Sequence, residues 1–495
     1  MNHLNAGKAA KYPPWLPWLF TLSFLLITFL PRSLDGAMFM DGTTYAAIAR
    51  NMAEGQGSFW RPFFAHSFWL PYDNADYFSG HPPLQFWLQS LLFRLLGDTP
   101  AVENIYNLVI LILYISLIIS IWKKLFNAHH AFRAFSWLPV LCWHGMVIVW
   151  YSIPNNFLDS TMGLFSLASC YFQLVYLKKR PAMPRDIGWI VLAGIGIVLA
   201  LLTKGPVGLF PMAFSVIYAL TSSESRISLS IRPTVIMLGV VVAAFACLLA
   251  YTPAREFLTT YFNGQVVQAL LQKREKAGTG WTAHFTLLAE LLRCLYPHLF
   301  ASAALYALSL GLKWRFAPNK TICDGVRLTA FVAASCIVPM LVSIKQYPHY
   351  LLPALPFIAI TFALLIVRRL SALMTINNRL TIIAFIVGSL ACWGAASRKL
   401  ATIRPDVHVS NAKALRTLVP SAATIGICHD LFQHADIHAN FQRYHHLSLT
   451  TQIGTARYVL ADSACLPSFD LKRDSLIRLH GKFFLVIRRD IHTDR

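Results

Sequence analysis

Apolar residues in this chain come in long unbroken runs, unlike the alternating or one-in-three patterns of a water-soluble fold. Eleven such runs can be marked: 15–31, 104–121, 136–152, 157–177, 187–203, 206–221, 233–251, 284–311, 327–344, 349–367 and 380–396. About twenty apolar residues in a helix cross a bilayer core. The pattern therefore predicts an α-helical polytopic membrane protein of about eleven transmembrane helices, over residues 1–396. The first run, from Trp15, follows Pro13-Pro14 with no small-residue cleavage site after it, and reads as an uncleaved span.

Three stretches break the rhythm. Segment 32–103 is too long for a connector and rich in aromatics, among them Phe59, Trp60, Phe63, Trp69 and Tyr77. Thr43–Ala53 has helical apolar spacing, and Leu84–Leu96 follows Pro82-Pro83, a helix-start signal; both read as amphipathic helices at the outer leaflet. Segment 252–283 ends in the polar, Gly-punctuated run Gln272–Gly280 and reads as a mobile loop. The tail, 397–495, has no spanning run. Short buried strands at 424–428, 457–460 and 483–487, with helices over 411–418 and 431–440, predict a small C-terminal α/β domain.

Composition agrees with the pattern: 56% of residues are hydrophobic and only 13% charged. The net charge of +21 would point to nucleic acid in a soluble protein. Here Lys178-Lys179-Arg180, Arg368-Arg369 and other basic groups sit in short loops between runs, where cytoplasmic lipid headgroups attract them, so no nucleic-acid partner is expected. With the N-terminus in the cytoplasm, the loops 122–135, 178–186, 222–232, 312–326 and 368–379 fall inside and are nearly all Lys/Arg-rich. Segments 32–103 and 252–283 and the tail then fall outside. The expected location is a bacterial inner membrane, with the tail domain extracytoplasmic. Nine cysteines occur without a CxxC pair; Cys428 and Cys465 alone lie in the tail, where an oxidising compartment would allow a disulfide.

Ionisable groups at membrane boundaries are costly and therefore informative. Asp41 begins the first outside helix, where it could simply cap it. His81 stands in Gly80-His-Pro-Pro83. Asp159 lies three residues past the turn Pro154-Asn-Asn156, and Lys204 falls in Leu202-Thr-Lys-Gly-Pro206. Lys345-Gln-Tyr-Pro-His-Tyr350 combines a cation with Tyr347 and Tyr350 beside a Pro-broken helix start, a good cradle for phosphate. Each has a plain alternative, such as a cap, a snorkelling lysine or an aromatic belt. Yet the charge-derived topology puts Asp41, His81, Asp159, Lys204 and Lys345, from five segments, on one side of the membrane.

The ordered series Asp41-x3-Tyr45-x4-Arg50, Tyr77-Phe-x2-His-Pro-Pro-Leu84, Leu158-Asp159, Leu202-Thr-Lys-Gly-Pro206 and Tyr350-Leu-Leu-Pro353 resembles the GT-C superfamily of glycosyltransferases. The nearest likeness is to the branch of protein O-mannosyltransferases and lipid A aminoarabinose transferases. The resemblance covers residues 1 to about 396 and implies a polyprenyl-phosphate sugar donor, a cell-envelope acceptor and inverting transfer on the outer face. It also implies that Asp41 and Asp159 line the catalytic cleft, with His81, Lys204, Lys345, Tyr347, Tyr350 and Tyr45 around the substrates. Where the aminoarabinose branch has a Glu-Lys pair, this chain has Gly80-His81, so no metal or other cofactor is expected. Glu256, Glu275 and His284 are the other ligands that 252–283 and its flank could offer, and His434-x3-His438 the tail's. The competing reading is a membrane transporter or lipid flippase, but no two halves of the chain correspond and the candidate groups gather at one face rather than mid-membrane.

Overall fold

The computed structural model describes residues 12–66, 77–179, 186–223, 226–271, 281–343, 345–470 and 472–489. Among them, nine helices are long and apolar enough to cross a membrane, from Leu16–Leu34 to Asn378–Ala401. Their outer faces carry exposed apolar side chains such as Val235, Leu238, Val242 and Leu249 along Ser228–Ala250. Only lipid can cover a stripe of that length.

Two of the eleven expected spans are broken. Run 136–152 forms Trp137–His144 and Val147–Ser152, divided at Gly145 and the extended Met146. Gly145 lies close against a neighbour: a Cβ there would stand 3.2 Å from His298 Nε2. Run 206–221 is a 3-10 turn, Pro206–Ala213, followed by the short helix Phe214–Thr221. Pro211, inside this turn, lacks an amide donor, and the regular helix begins only at Phe214. In the polar stretch after residue 251, Thr252–Tyr261 is a helix with Pro253 in its first turn and Ala254, Phe257 and Tyr261 on its buried face. Gln272–Gly280, read as a mobile loop, lies outside the described residues.

The chain divides into two compact units: Met1–Pro31 with Leu108–Ala401, and Arg32–Asn107 with Thr402–Arg495. In the first, the antiparallel helices Leu158–Leu177 and Ile187–Lys204 pack along their length. Gly196 permits the close approach, since a Cβ there would meet Phe165 O at 3.1 Å and Ser169 Cβ at 3.2 Å.

In the second unit, the helix Met40–Ala53 packs against Leu84–Leu96 and Ala435–His445. Buried between them, it presents no single apolar face: every residue from Gly42 to Met52 is covered. A hairpin follows, β1 Gly57–Ser58 and β2 Arg61–Pro62. The tail forms a five-stranded sheet of β3 Thr424–Ile427, β4 Ser448–Thr450, β5 Tyr458–Asp462, β6 Ser475–Arg478 and β7 Phe483–Ile487, in the order β4-β3-β5-β7-β6. β3 runs parallel to β4 and β5, while β7 pairs antiparallel with β5 and β6. Ile425, Ile427, Val459, Leu460, Leu485 and Val486 supply the core. The small α/β domain expected from the tail is therefore present, and Cys428 and Cys465 are joined as a disulfide with Cα atoms 6.4 Å apart.

Candidate active site

Two helix ends create the chemical centre of the first unit. Asp159 stands in the first turn of Leu158–Leu177, where unsatisfied amides favour an anion. Lys204 is the last residue of the neighbouring antiparallel helix, where exposed carbonyls favour a cation. The two therefore meet at one end of the pair, and Lys204 Nζ donates to Asp159 Oδ2. Both side chains are nearly inaccessible, at 2% for Asp159 and 11% for Lys204. Removing two charges from water costs several kcal/mol per ion, so the pair persists only because each is held by the other and by its helix.

The Lys-Gly-Pro sequence ends the second helix. Gly205 takes φ +84°, a left-handed stop that a side chain resists. It also leaves room for Tyr261, whose hydroxyl donates to Lys204 O at 3.2 Å and would lie 2.1 Å from a Cβ on Gly205. Tyr261, carried by the helix that sequence read as loop, thus fixes the lysine's backbone.

The segment Lys345–Tyr350 supplies an aromatic wall. The Tyr350 ring lies under Lys204 Nζ at 4.3 Å, a cation–π contact. His349 brings Nε2 to 3.9 Å from Asp159 Oδ2 and stacks between Phe157, at 4.5 Å, and Tyr347, at 5.6 Å. Lys345 Nζ in turn stands 5.6 Å over the Tyr347 ring. Gln346 anchors this segment: its Oε1 accepts from Leu287 N at 2.7 Å and its Nε2 donates to the carbonyls of His284 and Ser343, each at 2.9 Å. Of the residues expected in this unit, Asp159, Lys204, Lys345, Tyr347 and Tyr350 are brought into one continuous cluster. His349, Phe157 and Tyr261 complete it. His349 could have been found in the sequence, because it sits inside the Lys345 motif; Tyr261 had only its place on a short amphipathic face to mark it.

The second unit holds the other candidates. Asp41 lies in the first turn of Met40–Ala53, half-buried, one residue past Met40, with Phe39 at the cap position; a carboxylate there suits the helix N-terminus and is also compatible with serving a cleft. Tyr45, on the next turn, is 6% exposed and meets the His81 ring edge-on at 5.8 Å. Gly80 gives space to Phe78, whose ring tip would stand 2.8 Å from a Cβ there.

One metal-compatible group occurs among the described residues: Glu54, Asp98 and His446, with ligand atoms within 4.8 Å of one another. It lies outside every segment read as a ligand source. Its two carboxylates are already engaged, Glu54 by Arg50 at 3.8 Å and Asp98 by Arg443 at 2.5 Å, which disfavours a cation. His438 is not a ligand beside His434; it is buried against Phe432 O at 2.8 Å.

The chain is similar to known proteins in part of its sequence and in its fold. Residues 80–251, which contain His81, Asp159 and Lys204, match the family model described as dolichyl-phosphate-mannose-protein mannosyltransferase. No curated protein matches the chain in sequence. In fold, the chain is similar to ArnT from Cupriavidus metallidurans bound to undecaprenyl phosphate, with TM-score 0.65 and 15% identity over 96% of this chain and 99% of that one. The apo state of the same protein gives TM-score 0.61 and 16% identity over 95% and 97%. The apo oligosaccharyltransferase of Archaeoglobus fulgidus gives 0.55 and 11% over 91% of this chain and 70% of that one. The chain thus resembles the GT-C glycosyltransferases of the protein O-mannosyltransferase and aminoarabinose-transferase branch, and the likeness in fold extends through the tail.

Proposed function

We propose that this protein is an inverting glycosyltransferase of a bacterial inner membrane, moving a sugar from a polyprenyl-phosphate donor to a cell-envelope lipid, glycan or protein on the outer face. The observation that carries the proposal is the buried Asp159–Lys204 pair walled by His349 and Tyr350, within an ArnT-like fold. A buried lysine beside imidazole and phenol is suited to a developing phosphate, and a relative in fold holds a polyprenyl phosphate.

In the reaction, the acceptor hydroxyl attacks the anomeric carbon and forms the new C–O bond. The bond from that carbon to the phosphate oxygen breaks, and the lipid phosphate leaves with the electron pair. Lys204, supported by Lys345 and His349, neutralises that departing charge, and Asp159 orients Lys204. The resemblance in sequence motifs implies His81 as a further phosphate ligand and Asp41 as the group that takes the acceptor's proton, or that only orients the acceptor if that is itself a phosphate. Phosphate leaves readily, so the site needs positive charge more than an acid.

Envelope glycans and lipids from cells with and without the gene, compared by mass spectrometry, are expected to differ by one sugar on one class of molecule. Identical profiles would remove the proposal. Asp41→Asn is expected to lower transfer about 10²–10⁴-fold with normal membrane insertion, and near-normal turnover in purified protein would reduce Asp41 to a structural residue. The tail disulfide supports an oxidising location for 402–495. A reporter fused after Arg495 is expected to be active only outside the cytoplasm; activity inside would invert the topology.

A further inference from the structure

The second unit contains a cavity of about 380 Å³ lined by Gln56, Gly57, Phe63 and His66 from the hairpin region and by Ala422, Gln442, His446 and Ser448 from the tail. Its size falls within the range of small-ligand sites. Among the described residues that line it there is no Lys, Arg, Asp or Glu, a wall suited to a neutral ligand rather than a phosphate or a free cation. It offers two amides, a hydroxyl and two imidazoles, groups that mix donors with acceptors, beside one aromatic ring. Phe63 and His66 lie 5.1 Å apart, ring to ring.

Two further features mark the cavity. Gln442 is buried, donates Nε2 to Phe64 O, and its Oε1 has no partner among the described residues. A buried acceptor left alone is costly unless a ligand or water meets it. The backbone is also held in left-handed conformation at three wall positions, Gly57 at φ +80°, Ala422 at +61° and His446 at +59°. Only four described residues other than glycine have positive φ, and two of them are here. Such strain concentrates at ligand sites. At Gly57 it lets the hairpin pass within 2.7 Å of where a Cβ would sit, and Ala422 is exposed. His446 lies between Glu54, at 3.5 Å, and Asp98, at 3.7 Å; these carboxylates are balanced in turn by Arg50 and Arg443, so the wall carries little net charge.

We propose that this cavity is a binding site for a neutral sugar residue, with Phe63 as the apolar platform and Gln56, Gln442, His66, His446 and Ser448 as hydroxyl partners. It is a site additional to the Asp159–Lys204 cluster, and binding there is measurable without any transfer reaction. Full-length protein in detergent is titrated with methyl glycosides of glucose, galactose, mannose and N-acetylglucosamine and followed by saturation-transfer NMR. At least one glycoside is expected to bind. Gln56→Ala, at an exposed position, and His446→Asn, which suits the left-handed turn, are each expected to weaken it about tenfold while circular dichroism is unchanged. Absence of binding by all four glycosides, binding unaltered in both folded variants, or preferential binding of a neutral dipeptide amide would each overturn the proposal.

Discussion

Each unit buries a cluster of charges, and the two clusters are built to opposite designs. In the second unit, Arg443 is 1% exposed and every arm of its guanidinium is engaged: Nε with Glu103, Nη1 with Asp98 and Nη2 with Thr99 O at 3.1 Å. Arg50 donates to Arg443 O at 3.0 Å and to Asn51 Oδ1 at 2.7 Å. Burial works against charge on Asp98, yet the hydrogen bond from His446 and the two guanidiniums hold it below the usual carboxylate range. That is a bolt between the first segment and the tail. In the first unit, Asp159 and Lys204 meet through a single hydrogen bond, and their other neighbours are rings and an imidazole at 3.9 Å. A charge with one strong partner can change partners; a charge with three cannot without unfolding its surroundings. Burial and ion pairing alone do not identify an active site. The number of donors already committed is what separates the candidate site from the bolt.

The comparison breaks most visibly at Arg443. Arg443→Met leaves the buried Glu103, and the more exposed Asp98, without their cation, and a loss of about 3 kcal/mol is expected, read as early proteolysis of the second unit. Adding Glu103→Leu is expected to recover part of it; no recovery would mean that packing against Phe93, 4.9 Å away, matters more than charge. Lys204→Met is expected to reduce transfer about 10²–10³-fold with the protein still inserted and extractable. Equal losses of activity and fold would make this pair a second bolt. The smallest effect concerns acid. Burial pulls His438 down to about 4, against the weaker opposing pull of the Phe432 carbonyl. The folded imidazole stays neutral where the unfolded one gains a proton, so stability is lost as pH falls from about 6.5 to 4, by at most about 3 kcal/mol. His408 acts oppositely: its hydrogen bond to Asp436 raises it, giving stability that is lost as pH rises past 6.5, and with Asp436 44% exposed this amounts to under about 1 kcal/mol. His438→Gln is expected to flatten the acid limb in hydrogen exchange of Ala435–His445. An unchanged limb would shift the effect to His445, which burial also lowers.

What could be read in advance follows from the range of each force. Spans were legible because hydropathy is local and lipid imposes a length. Breaks at 145–146 and within 206–213 were not, since a run stays apolar whether or not its backbone is regular. Asp159 and Lys204 were legible as costly charges at boundaries, and their pairing followed from adjacent antiparallel helices. Arg443 and Glu103 were not, because a charge in a polar segment looks solvated until a partner 340 positions away covers it. The tail's strands showed their apolar runs, whereas β4 and β6, short and half polar, did not.

The second unit is assembled from the two extremes of the chain, and this has a consequence in time. Glu103 and Asp98 are made early, and Arg443 only after seven more of the long helices among the described residues have been synthesised. At roughly 5–20 residues per second, the acidic partners wait about 20–70 s for their arginine. Throughout that interval the first segment carries uncompensated carboxylates and an uncovered helix, so a premature stop anywhere before residue 443 strands it. Translation past residue 443 is thus the step that licenses this unit, and products truncated before it should fall to quality-control proteases however well their spans are inserted.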